Sequence, residues 1–143
     1  MINDEIVNRM LEIVKREREV ICEAIEQLRV IEERRIYALR GYSSIWEFAT
    51  KFLGYSEGAA YRRISALRLT KQNPEALEKI RNGALTLTNA AQAQTFARKT
   101  KISSAEIVKR VEGKSSREAE RTLLELAPQN ARSEKMRPIT PEL

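Results

Sequence analysis

No glycine or proline occurs in the first 40 residues, and that gap constrains the fold of this 143-residue chain more than any other feature. Asn3 or Asp4 is placed to cap a helix running to about Leu39, before the first breaker, Gly41. At 1.5 Å per residue such a helix is about 50 Å long, more than one small core can cover. Val7, Val14, Ile21 and Leu28 recur every seven residues, with Met10, Ala24 and Ile31 at the matching second position and Glu17 as a charged fault. Ile6, Leu11, Ile13, Val20 and Ile25 widen the stripe, so the helix is expected to meet more than one neighbour. The seam predicts a homodimer built on residues 1–40. The alternative is a helical hairpin in which the arm packs on its own body.

Residues 50–70 read as the end of one helix, a tight turn and a second, arginine-studded helix. Leu53 closes the first apolar pattern and Gly54 supplies the positive φ that ends a helix. Ser56 caps the next helix, with Glu57 in its first turn. At 100° per residue, Ala60, Ile64 and Leu67 fall on an inward stripe and Gly58, Arg62, Ser65 and Leu69 on the opposite side. A slim, basic outward face is what a major-groove helix needs, since small residues let the backbone approach and arginine reaches guanine or phosphate. The same pattern also fits an ordinary amphipathic helix with solvated arginines.

The remaining chain is punctuated by local helix signals. Ser44 and Glu47 have capping-box spacing and open a short helix through Trp46, Phe48 and Phe52, in which Trp46 is expected to anchor the core. Asn73-Pro74-Glu75 starts a helix that stops at Gly83, and Thr88 is placed to cap one from Asn89 to about Lys99. Ser103 with Glu106, and Ser115 with Glu118, open two more, the last ending near Ala127. Three prolines from Pro128 onward make residues 128–143 read as a linker or disordered tail, a bridge to something further. No strand-like alternation appears, so the expected fold is all-α: the arm of residues 1–40, then a helical helix-turn-helix domain over 41–127.

Charge and rare residues narrow the chemistry. Residues 1–36 carry 7 basic and 9 acidic side chains, residues 37–127 carry 16 and 9, and residues 128–143 carry 3 and 2. The positive excess therefore sits on the segment with the arginine helix, as expected of a polyanion binder. The single cysteine, Cys22, forms no intrachain disulfide and completes no cysteine metal site, which fits a reducing cytoplasm. No histidine is present, so imidazole chemistry is excluded within these residues. No apolar run is long enough to span a bilayer and no signal-peptide pattern opens the chain. Neither a metal, a cofactor nor a small-molecule substrate is expected.

Leu53-Gly54-Tyr55-Ser56-Glu57-Gly58-Ala59-Ala60-Tyr61-Arg62-Arg63-Ile64, followed by Asn73-Pro74-Glu75 and Gly83-Ala84-Leu85-Thr86-Leu87-Thr88, resembles the DNA-binding core of ParB and KorB partition proteins. The arginine-rich nucleotide-binding domain that precedes that core in partition proteins is not present, so CTP binding is not implied. A wider resemblance covers nearly the whole chain. Glu33-Arg34-Arg35-Ile36-Tyr37, Gly41-Tyr42-Ser43-Ser44-Ile45-Trp46-Glu47-Phe48, the stretch from Leu53 to Ile64, Leu87-Thr88-Asn89 with Gln92-Ala93-Gln94, and Gly113-Lys114-Ser115-Ser116-Arg117-Glu118 are similar to the N-terminal helical region of bacterial HNH endonuclease-like proteins. In that family a histidine-containing nuclease module lies downstream. It implies here either a fragment of a longer protein or a relative that kept the targeting part, and it carries no nuclease activity to this chain.

The functional expectation is a dimeric helix-turn-helix module that binds duplex DNA through residues 57–71 in a nucleoid-associated, cytoplasmic setting. Arg62 and Ser65 are placed for base edges, Lys51, Arg63 and Arg68 for phosphates, and Tyr55 and Tyr61 for phosphate hydroxyl contacts. Ser56 and Gly58 form the slim start of the reader. The alternative is a protein-interaction scaffold that recognises partners with the long helix. No enzymatic site converges in the sequence.

Overall fold

The computed structural model describes residues 2–139, with their side chains as far as residue 127. Among the described residues the chain is 79% helical and has no strand. In order come α1 (Ile2–Glu33), α2 (Ile36–Leu39), α3 (Ile45–Glu47), a π-helical segment (Phe48–Phe52), α4 (Glu57–Gln72), α5 (Glu75–Arg81), α6 (Leu87–Lys99), α7 (Ser104–Val111) and α8 (Ser116–Ile139).

Most helix starts follow from their own few residues. Ser44 Oγ accepts from Glu47 N at 3.0 Å, while Glu47 Oε1 accepts from Ser43 N at 2.7 Å. Ser115 and Glu118 make the full reciprocal box, at 3.2 and 2.9 Å. Ser56 and Ser103 cap as expected, by accepting from Ala59 N and Glu106 N. The α6 cap lies two residues before the expected Thr88: Thr86 accepts from Asn89 N at 3.0 Å, so Leu87 and Thr88 are already helical. At the N-terminus α1 already includes Ile2, so Asp4 is a first-turn acid instead of a cap.

Three expectations are corrected. The first helix does not reach Leu39, because Arg35 turns into the left-handed region at φ 53° and ψ 37° and separates α1 from α2. A non-glycine residue there costs roughly 1–2 kcal/mol, and the break turns α2 so that Tyr37 enters the core. Trp46 is 39% exposed, and the anchors of its helix are Ile45 and Phe48. The wide π turn, in which Leu53 N donates to Phe48 O at 3.0 Å, re-aims the side chains around it. Finally, α8 does not stop near Ala127 but continues to Ile139. The helix-forming run Ala131-Arg132-Ser133-Glu134-Lys135-Met136-Arg137 favours this despite Pro128. Residues 140–143 of the expected tail lie outside the described residues.

The core is built around α4. Ala60, Ala66, Leu67 and Leu69 are fully buried, and α4 lies chiefly against α6, whose Ala90, Ala91 and Ala93 are also buried. Small side chains on both helices allow a close approach. Cys22, Ile25 and Leu28 of α1 close one side, and Ile107, Val108, Val111, Ala119 and Leu123 of α7 and α8 close the other. Polar ties fix the layers: Asn89 Nδ2 donates to Lys114 O at 2.8 Å, and Gly113 N donates to Ala84 O at 2.7 Å. Cys22 Sγ donates to Leu77 O at 3.6 Å, and burial pushes this free thiol above its usual pKa.

Candidate nucleic-acid interface

The chain path between the π-helical segment and α4 is set by Gly54 at φ 84° and by Tyr55 N donating to Ala49 O at 3.1 Å. A Cβ at Gly54 would meet no atom within 4 Å, so the backbone angle, not lack of space, requires glycine there. Beyond the turn α4 is open to solvent at its start and again at its last two residues, Lys71 and Gln72. Ser56, Glu57, Gly58 and Tyr61 are exposed, and Arg62 and Arg63 are half-buried. Gly58 leaves room for Arg62 to fold back, since a Cβ there would lie 3.3 Å from the Arg62 guanidinium.

The second half of the helix differs from its expected outward face. Ser65 and Leu69 are buried, because α6 and α1 flank α4 on two sides and leave no free stripe. Ser65 therefore cannot reach a base edge in this structure. Arg68 is also committed: its guanidinium grips Glu32 at 2.5 and 2.7 Å in a bidentate pair, and Lys71 adds a third contact at 3.3 Å. Lys51 pairs with Glu47 at 3.4 Å on the surface. Arg63 donates to Ala59 O at 3.1 Å and stacks over Tyr55 at 4.8 Å, so these two expected phosphate contacts hold each other. The hydroxyls of Tyr61 and Thr95 hydrogen-bond to one another across the gap between α4 and α6.

Two clefts meet at Tyr61. A groove of about 580 Å³ lies between α4, α6 and α8, lined by the apolar Phe96, Leu123 and Leu124 and by the charged Arg62, Lys99 and Glu120. A smaller recess of about 220 Å³ holds Trp46, Tyr61, Ser65, Arg68, Gln94 and Arg98. Gln94 is buried there, and its Oε1 has no hydrogen-bond partner among the described residues. Trp46, Thr95, Arg98 and Lys99 are thus surface features that the sequence alone did not point to. Thr95, Arg98 and Lys99 share one helix face by their spacing, which was the signal available. Among the described residues Arg62, Arg98 and Lys99 form no ion pair. Arg62 and Lys99 line the groove and Arg98 lines the adjoining recess, so the three form a basic rim on either side of Tyr61.

Glu32 connects this region to the arm. Burial pushes its carboxyl up, but hydrogen bonds from Arg68 and Lys71 and the attraction of both cations outweigh that, holding its pKa below the usual value. A lowered folded-state pKa stabilises the fold above the ordinary carboxylate range, and the contribution is lost as pH falls through and below it. The melting-temperature gap between the wild type and Glu32→Gln is therefore expected to be widest near neutral pH. It should close in acid, and a gap that does not change with pH would contradict the pairing.

The expected dimer seam divides in two. Leu28 is buried at 3% exposure in the chain's own core, and Ile21 and Ile31 pack against that core. Ala24 on the same stretch is half-buried. Leu28 is therefore not available to a partner, because the body formed by α4 and α5 already covers this half of α1. Val7 and Met10 remain exposed and Val14 half-buried. Among the described residues no three His, Cys, Asp or Glu side chains are grouped to hold a metal ion, and no helix is long and apolar enough to cross a membrane. Comparison with family models, curated proteins and solved structures finds no match.

Proposed function

We propose that the chain is a DNA-binding module that meets the duplex with the exposed start of α4 and the basic end of α6. The observation that carries this reading is the rim formed by Arg62, Arg98 and Lys99, three cations without carboxylate partners among the described residues, beside a glycine-slimmed helix start. Cations left unpaired on one face attract a polyanion, whereas those already neutralised do not. Tyr61, which lines both clefts, and the exposed Trp46, in the recess with Arg98, add aromatic surface. Compared with the expectation from sequence, the contact shifts from the length of the helix to its first two turns, the part of a reader helix that approaches base edges. The resemblance to the targeting region of HNH endonuclease-like proteins fits this reading. The chain acts here by binding, not by catalysis, and pairs with a second copy through the N-terminal half of α1.

Fluorescence-anisotropy titration with a random-sequence duplex tests it. With three or four phosphate contacts, affinity is expected to fall by about 100-fold between about 50 and 200 mM salt. An absence of binding at the lower salt would refute the reading. A scaffold reading is favoured by one observation, the apolar exposure of the arm, and it would then take first place.

A further inference from the structure

The first half of α1 projects from the body with its apolar side chains uncovered. Ile2, Ile6, Val7, Met10 and Leu11 are 72, 62, 56, 53 and 61% exposed. Scattered surface leucines are ordinary, but five large aliphatic side chains within ten residues, spread over about half the circumference of one helix, leave an exposed apolar band. The helical angles place Val7, Met10 and Val14 on the face that, farther along α1, carries Ile21, Ile25 and Leu28 into the core. The covered face therefore continues beyond the point where the body stops covering it.

We infer that a second copy of this chain covers that face, with its arm antiparallel, so that each N-terminal turn lands at the base of the other arm. This rests on the dimer reading above and adds its direction and its contacts. At the base of the arm lies a cleft of about 530 Å³ lined by Ile13, Arg16, Glu17, Val20, Ile21 and Arg63. Its apolar floor suits Ile2 and Ile6. Its two arginines against one glutamate suit the acidic first turn that carries Asp4 and Glu5.

Charge decides the direction. Residues 2–5 hold two acids and no base, and residues 15–18 hold three bases and one acid. Antiparallel arms bring these unlike ends together, whereas parallel arms would set acid against acid and base against base. Parallel arms would also bring both bodies to the same end, where each already occupies the shared face. Matching residues 2–6 of one copy to the cleft at 13–21 of the other puts the two-fold axis near Met10 and Leu11, with Ile6 opposite Val14 of the partner. Ends of opposite sign steer the approach, and the aliphatic side chains supply the burial.

Light scattering without DNA is expected to give twice the chain's mass. Met10→Asp with Leu11→Asp should raise the dimer dissociation constant by more than about tenfold while the far-ultraviolet spectrum stays helical, since neither residue is in the core. For direction, an oxidised mixture of Ile6→Cys and Val14→Cys chains should give the mixed disulfide, while Ile6→Cys alone should give little. The native Cys22 is buried and does not compete. A monomer in scattering, or a dimer indifferent to the aspartates, would overturn the surface. Ready self-linking of Ile6→Cys with no mixed product would overturn the direction. None of these readouts involves DNA, so DNA binding and pairing can fail separately.

Discussion

Replacing Arg62 and Arg98 together by glutamate is expected to weaken duplex binding by at least about 100-fold and to flatten its salt dependence, because each phosphate that is no longer neutralised takes about one unit off the slope. The melting temperature should hardly move. Neither arginine forms an ion pair among the described residues, Arg98 is exposed and Arg62 half-buried, so their charges are spent on no intramolecular partner. Arg68→Ala makes the contrast. It removes a bidentate partner from a Glu32 carboxylate that remains largely covered, so it should lower stability more than it lowers affinity. If the double glutamate variant is folded and binds as tightly as the wild type, the rim is not the contact surface.

The second large effect is on the fold itself. Leu67→Ala should cost about 3–4 kcal/mol, since it empties a fully buried site at the centre of α4 that can collapse little between α1 and α6. With a total stability of roughly 5–15 kcal/mol for such a domain, that is a large share. Leu39→Ala is the control: Leu39 is 84% exposed, and its loss should stay within about 0.5 kcal/mol. Urea unfolding monitored by helical signal measures both. Equal midpoints for the two variants would mean that α4 is not the centre of the core.

What could be read from the chain was local. The serine caps at 44, 56, 103 and 115 depend on residues within three or four positions, and all four are as the sequence indicates. The all-helical class follows from the same signals added together. What could not be read was which faces meet. Ser65 and Leu69 belong to an outward stripe only while α4 has one neighbour, and it has several. The alanines of α6 are weak as an apolar signal yet permit the close packing that buries one side of α4, while α1 covers the other. The heptad seam of α1 is real as a pattern, but a pattern of apolar spacing does not say whether the neighbour is the chain's own body or another copy. The break at Arg35 carries no glycine or proline to announce it, and Arg68 found Glu32 from 36 residues away.

The wide turn over Phe48–Phe52 also has a meaning as a count of residues. A five-residue hydrogen-bond spacing accommodates one residue more than an α-turn, so the segment takes up an extra residue in the last turn before the helix ends at Leu53. Thr50 Oγ1 helps, donating to Trp46 O at 2.9 Å where the backbone ladder is disturbed. Removing that residue would restore the ordinary spacing and rotate Trp46 by about 100° about the helix axis relative to the end of the helix at Leu53. Trp46 would leave the rim of its recess, although no residue lining that recess had changed. The place of the tryptophan is thus set by arithmetic along the chain as much as by its neighbours, and insertions and deletions, more than substitutions, are the changes by which this surface can be re-aimed.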